Sequence, residues 1–268
     1  MILRDIFPQW AIDAGVLREG LISRYFRRKE RFQYTVADVI GVQSPANLDY
    51  FRQLPSQHDA KLEVLYNWTT LEEKNVVHDD VRKKLGLEDK LIFFYGGNIG
   101  LAQHMDNIIH LAESLRSWPD AYFLLVGEGS EVPRLQAEIK RKSLSNISIQ
   151  PAVGQGEYLG LLSQVDIGLI SLDRNLKTHN FPGKMLGYMY YSMPILASIN
   201  PDNDLQNVIE QADAGLVCLA GEHEKLCEAA KKMLKNEGLR QNLGRNSRLL
   251  LENMFSVDQA ARQILSHM

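Results

Sequence analysis

Cysteine is scarce in this 268-residue chain, with Cys218 and Cys227 the only two. The first sits in an apolar, strand-like run and the second in a helical one. No disulfide is expected between them, and the usage suits a reducing cytoplasm. Long apolar runs are missing as well: nothing approaches the roughly 18 consecutive apolar residues of a spanning helix. The opening MILRDIFPQW lacks the basic-then-apolar order of a signal peptide. Charge of one sign is not in excess, and a net charge of −3 argues against a chain that grips nucleic acid through its phosphates. The seven histidines show no ligand spacing, and no Ser-His-Asp set or paired-carboxylate motif stands out. A bound metal is therefore not expected. Repeats and low-complexity tracts are lacking too.

What is present is an ordinary globular balance, 45% hydrophobic and 24% charged, enough for a real core. From residue 89 onward strand and helix alternate. Short apolar runs stand at 91–96, 122–127, 147–152, 166–171, 194–198 and 215–220. Helical stretches at 104–118, 131–143, 156–164 and 204–212 separate them, with Ile108, Leu111, Ala112 and Leu115 at helical spacing. This alternation predicts an α/β domain whose parallel sheet is covered on both faces. Six strands suggest the doubly wound order 3-2-1-4-5-6, with the winding reversing between the first and the fourth. After Gly221 only helices are expected.

Residues 1–66 read as a separate piece, with helices at 19–36 and 45–54 and strands at 37–43 and 62–67. Two strands and two helices cannot bury a core alone. ILRDIFPQW reads as the end of a buried strand with nothing upstream to pair with it, so the chain is expected to be the C-terminal part of a longer protein. Residues 65–80 read as the connection to the complete domain.

Two strand-to-loop junctions carry the candidate chemistry. LIFFYG runs into Gly96-Gly97-Asn98-Ile99-Gly100, and DIGLI runs into SLDRNLKTHNFPGK, with Arg174, Lys177, His179 and Lys184. Glycines let a ligand approach the backbone, and helix N-termini with basic side chains attract phosphate. A dinucleotide fingerprint is not met, because Tyr95 stands where GxGxxG needs glycine. Glu128 follows about thirty residues on, rather than the ~20 that the motif expects of its acidic ribose ligand. A tight turn without ligand stays open as the plain alternative. For Lys184 the alternatives are a point charge for phosphate and a solvated surface lysine. Met185, Leu186, Met189 and Tyr190 read as core.

Asp202-Asn203-Asp204 could be a metal-binding DxD, but capping of the following helix by Asp204 is the simpler account. The stretch LISRYFRRKERFQY mixes Arg24, Arg27, Arg28, Lys29 and Arg31 with Tyr25, Phe26, Phe32 and Tyr34. It fits a helix on an anionic membrane surface, or one with a buried aromatic face and a solvated charged face.

The succession GGNIGLAQ, FLLVGEGSE, NISIQPAVGQGEYLGLLSQVDIGLI and FPGKMLGYMYYSMPILAS resembles the C-terminal domain of family 4 glycosyltransferases of GT-B fold. The nearest subgroup is that of bacterial O-antigen and capsule enzymes, including transferases of L-fucosamine-type sugars. LRDIFPQW, ADVIGVQSPANLDYF and VLYNW resemble the end of the N-terminal domain and the hinge, so the likeness spans nearly the whole chain. It implies a Rossmann-like remnant of the acceptor-side domain at 1–66, a complete sugar-nucleotide-binding domain at 67–254, and a helix at 255–268 packing back toward the N-terminal part. By the same resemblance Gly97 and Asn98 approach the diphosphate, with Lys184 near it, and Val153 and Gly154 border the base. Arg4 and Asp5 match a position facing the donor sugar from the opposite domain.

Two departures stand out. Many relatives carry a glutamate pair eight positions apart, and here His179 and Gly187 occupy those places. Many also carry Arg and Lys after the first strand, where Asn98 and His104 stand. The diphosphate charge would then fall to Lys184, Lys177 or Arg174.

The resemblance implies a retaining transferase that moves a sugar from a UDP-linked donor to a lipid-linked precursor of O-antigen or capsule. The donor is a substrate, and no cofactor is expected. Catalysis would fall to Arg4, Asp5 and Lys184. The alternatives are a sugar-nucleotide epimerase of the same fold and a truncated nucleotide-binding remnant. A cytoplasmic location, peripheral on the inner membrane face, fits such an acceptor, and exposed strand edges would permit self-association.

Overall fold

The computed structural model describes residues 1–53, 61–72, 80–179 and 181–268. A small parallel sheet comes first. It runs through β1 (Ile2–Leu3), α1 (Gln9–Asp13), α2 (Leu21–Thr35), β2 (Val39–Val42), α3 (Pro45–Gln53) and β3 (Lys61–Val64), with β2 in the centre. Ile2 faces Gly41 across one seam, and Val39 to Val42 face Lys61 to Val64 across the other. Ile6, Tyr34, Ile40, Val42 and Phe51 form its core. Residues 1–10 do not hold the buried strand that the sequence suggested. Among the described residues β1 pairs with β2 alone, at the edge of the sheet, and Ile2 is exposed.

The larger sheet follows. Its elements are α4 (Val81–Leu85), β4 (Leu91–Gly96), α5 (Asp106–Ser114), β5 (Ala121–Val126), α6 (Val132–Arg141), β6 (Ile147–Gln150), α7 (Gln155–Leu162), β7 (Ile167–Ser171), α8 (Lys184–Tyr190), β8 (Ile195–Ile199), α9 (Leu205–Gln211) and β9 (Gly215–Leu219). Three helices close the chain: α10 (His223–Lys235), α11 (Glu237–Met254) and α12 (Val257–Leu265). The strand order is β6-β5-β4-β7-β8-β9, all parallel. The winding therefore reverses between β4 and β7, as the strand count suggested.

β4 shows why these runs become central strands. Successive side chains of a strand point to opposite faces, so Phe93 and Tyr95 enter one apolar layer while Ile92 and Phe94 enter the other. Phe93 stacks on Phe123 of β5 at 4.8 Å. Burying one such ring contributes about 2–3 kcal/mol. Met185, Leu186 and Met189 of α8 are core, as the sequence suggested. Tyr190 packs against this core while half-buried, its hydroxyl donating to the Glu72 carbonyl and the Arg248 guanidinium lying over its ring.

The sheets meet through long-range hydrogen bonds. Asn67 Nδ2 donates to the Phe181 carbonyl at 3.1 Å, and its Oδ1 accepts from Gln43 Nε2 at 3.0 Å. Between β7 and α8, the Lys177 and His179 amides donate to Asp13 and Asn47. α12 lies against the small sheet, Gln263 Nε2 donating to the Val64 carbonyl at 2.8 Å. Among the described residues no helix is long and apolar enough to cross a membrane. Residues 73–79 of the expected connection lie outside the described residues.

Candidate functional site

At the end of β4 the chain enters Gly97 with φ of +112°, a region closed to side chains. The neighbouring turn after β5 presses against it, and a Cβ on Gly127 would lie 1.9 Å from the Gly97 carbonyl oxygen. Only glycine permits this contact, which fixes the two turns as one floor at the winding reversal.

Lys184, the first residue of α8, reaches this floor from the β7 side. A Cβ on Gly97 would stand 3.8 Å from its Cε and 4.0 Å from its Nζ. The ammonium sits 3.4 Å from the centroid of the Tyr95 ring, a cation–π contact. Among the described residues no carboxylate forms an ion pair with it. The residue as a whole is half-buried, but its ammonium is poorly solvated, and burial pushes its pKa well below the ordinary lysine value. A solvated surface lysine does not describe this arrangement. An unpaired, desolvated cation is suited to an arriving anion. The Tyr188 hydroxyl, one turn along α8, accepts from the Gly96 amide at 3.2 Å and donates to the Leu169 carbonyl at 3.3 Å, bracing the β4–β7 seam.

Two hollows flank the floor, and Asn98 lines both. The larger, about 580 Å³, opens between the sheets, with Arg4, Asp5, Trp10, Asn67 and Phe181 in its walls. The Arg4 guanidinium lies over the Trp68 ring at 5.2 Å. The smaller, about 270 Å³, is lined by Gly97, Glu128, Val153 and Tyr158. Burial pushes the Tyr158 phenol up to about 12, so it stays a neutral donor. Gly154 lies exposed beside this hollow as the cap residue of α7.

Gly97, Asn98 and Val153 thus line the smaller hollow and Asn98, Arg4 and Asp5 the larger, with Lys184 beside Gly97. Arg174, Lys177 and His179 line neither. Lys177 and His179 line a separate hollow of about 710 Å³ with Asp49, Asp202 and Asp204. Burial lowers the His179 pKa, against the pull of Asp204 and Asp202. Arg174 is exposed, near Gly221 at the end of β9. In the β7–α8 connection the Lys177 and His179 amides are bonded to Asp13 and Asn47. His104 faces Asp106 and Asp173 at 3.9 and 3.7 Å. At Gly187 even a Cβ would come within 2.9 Å of Leu162, so a carboxylate there would require Leu162 to move.

The capping expected of Asp204 is corrected. Asn203 Oδ1 accepts from Leu205 N at 3.0 Å at the start of α9, whereas Asp204 makes no cap to its own helix. Its carboxylate crosses to the small sheet and accepts from Ala46 N in the first turn of α3. Asn67, Phe181, Trp10 and Tyr188 entered the site unforeseen. Only Tyr188 had a local signal, since four residues after Lys184 it shares that helix face.

A doubly wound sheet with a glycine floor and a half-buried lysine at its switch point faces a second parallel sheet, a two-lobed α/β architecture. Residues 77–250, more than half of the chain, match the family Glycosyl transferases group 1, and the chain belongs to that family. It is 23% identical over 225 residues to a probable glycosyltransferase, WbjE, of Pseudomonas aeruginosa, covering 81% of this chain and 55% of that protein. The chain spans about half the length of the curated relatives it matches. Among solved structures it is similar to WaaG, a glycosyltransferase involved in lipopolysaccharide biosynthesis, with TM-score 0.78, 16% identity, and 98% of this chain and 73% of that one covered. It is also similar to Anabaena HepE solved with UDP, at TM-score 0.76 and 15% identity, covering 99% and 70%. The fold is GT-B.

Proposed function

We propose that this chain forms the sugar-nucleotide side of a retaining glycosyltransferase using a UDP-sugar to extend a lipid-linked polysaccharide precursor. The observation that carries this reading is the Lys184 ammonium held over the Tyr95 ring beside the Gly97 backbone, with no carboxylate paired to it among the described residues. A diphosphate on that floor would supply the missing counter-charge. The base would lie in the smaller hollow against Val153, and Glu128 would accept the ribose hydroxyls. The sugar would project past Asn98 into the cleft, toward Arg4 and Asp5.

The reaction breaks the bond from the anomeric carbon to the diphosphate oxygen and forms one to an acceptor hydroxyl. The hydroxyl proton leaves with the departing diphosphate. Stabilising that leaving charge is the main demand, and a fixed ammonium in a site that excludes water meets it. An N-acetyl-L-fucosamine-type sugar is the first donor to examine, on the sequence resemblance alone.

Calorimetry with UDP tests the reading. A charge-assisted contact contributes about 1.5–3 kcal/mol, so Lys184→Ala should weaken UDP about tenfold or more. Unchanged affinity would remove Lys184 from the site. UDP release that depends on an added saccharide acceptor would distinguish transfer from hydrolysis or epimerisation.

A further inference from the structure

The connection between β7 and α8, residues 172–183, belongs to the larger lobe but is held from both. At its start the ties are local: Leu172 N donates to the Ser198 carbonyl, Asp173 N to the Ala102 carbonyl, and Asn200 Nδ2 to the Leu176 carbonyl at 2.9 Å. Past Leu176, bonds cross to the smaller lobe. Lys177 N donates to the Asp13 carboxylate at 3.0 Å. The Asn47 amide engages both backbone polar groups of His179. Its Oδ1 accepts from His179 N at 2.9 Å, and its Nδ2 donates to the His179 carbonyl at 3.4 Å. Two residues on, Asn67 holds the Phe181 carbonyl, and the Phe181 ring stacks on Tyr66 at 5.7 Å. Asn47 and Asn67 are only 1% and 7% exposed. These buried amides lose their strap partners if the lobes part, and a buried amide left without a partner is costly. Only Pro182, whose ring fixes φ, and Gly183 separate the anchored stretch from Lys184. That leaves little slack between the anchors and the start of α8.

We propose that Asn47 is a positioning residue for the anion site. Through the His179 backbone it sets where α8 begins, and so makes the affinity of Lys184 for a diphosphate depend on the docked smaller lobe. Asn47 lines neither of the hollows that flank the glycine floor, so an effect of Asn47 on a nucleotide has to pass through the chain that it holds. Asn67 is a less clean witness, because it lines the larger hollow itself. The Lys184 ammonium is placed from two sides, by the Tyr95 ring beneath it and by the tethered strap that precedes it. With the tether released, the lysine and the first turn of α8 sample more conformations, and re-ordering them costs part of the free energy of binding. The coupling rests on the reading of Lys184 as the diphosphate contact, and it extends that site to a residue of the other lobe.

The test is a double-mutant cycle on UDP affinity in the full chain, with Asn47→Ala and Lys184→Ala made singly and together. Asn47→Ala should weaken UDP about fivefold in the parent, and less than about twofold once Lys184 is already alanine. Hydrogen exchange of the free protein should show the Lys177 and His179 amides opening earlier in Asn47→Ala. Asp13→Ala frees the Lys177 amide from a half-buried position and should weaken UDP by about two- to threefold. Circular dichroism and melting temperature identify the folded variants, and Asp13→Ala decides the matter if Asn47→Ala does not fold. Undiminished UDP affinity in the folded variants, or an equal loss with and without Lys184, marks a merely structural contact and overturns the proposal. Such a result leaves the dependence of UDP on Lys184 intact. UDP that fails to bind the parent, or binds Lys184→Ala equally well, instead overturns the nucleotide reading and takes the coupling with it.

Discussion

At the scale of single residues, Lys184 is a cation kept where water solvates it poorly, with a phenol ring in place of a counter-ion. Its folded-state pKa lies below the value of the unfolded chain. Between those two values the unfolded state binds more protons, so the free protein gains stability from this group as pH rises through that window. A bound diphosphate reverses the balance by favouring the ammonium. Between the Lys184 pKa in the free protein and the ordinary lysine value, UDP binding should therefore take up a fraction of a proton and weaken as pH climbs. Calorimetry in buffers of differing ionisation enthalpy measures that uptake directly. Lys184→Met should abolish it, and an unchanged uptake in that variant would assign the proton to another group.

At the scale of elements, Asp204 acts on a helix other than its own. Its carboxylate meets the first turn of α3, where the helix dipole and unpaired amides favour negative charge. Asp204→Ala should cost about 1 kcal/mol, measured by urea unfolding, with earlier hydrogen exchange in α3 than in α9. Exchange accelerating first in α9 would return the cap to its own helix. The misreading shows which elements were legible. The strands of the larger sheet and their order could be read because burial on both faces writes a continuous apolar run such as Leu91–Gly96 into the chain. The glycine turn and Lys184 were legible for the same local reason, lying where a strand gives way to a turn or a helix begins. Short α1 and α4, of five residues each, carry too little periodicity to stand out. Arg174, Lys177 and His179 share a loop with Lys184, and composition alone sent them to the same ligand. The Lys177 and His179 backbone is held by bonds to Asp13 and Asn47, more than a hundred residues away, which no local pattern encodes.

At the scale of the whole molecule, the small sheet is tied to the rest by few and specific contacts. Among the described residues, three strands with a five-residue buried cluster form a marginal core. The chain end compensates. After Phe255, residue Ser256 pairs with Thr69, and α12 then runs back along β3. There Gln263 bonds the Glu63 carboxylate and the Val64 carbonyl, and the His267 ring meets Glu63 at 2.9 Å. β3 is an edge strand, and an unprotected edge opens first. The double variant Gln263→Ala/His267→Ala removes these ties while leaving the larger sheet untouched. At about 1 kcal/mol for each lost hydrogen bond, local opening of the small sheet should become easier by about 2–3 kcal/mol. Native-state hydrogen exchange should then show β2 and β3 opening earlier, with β4 and β5 unchanged. The cleft would loosen with them, because Gln43 and Asn67 connect β2 to the Phe181 backbone. Uniform acceleration across both sheets would mean that the two lobes unfold as one unit, and that α12 supports the whole molecule rather than its smaller lobe.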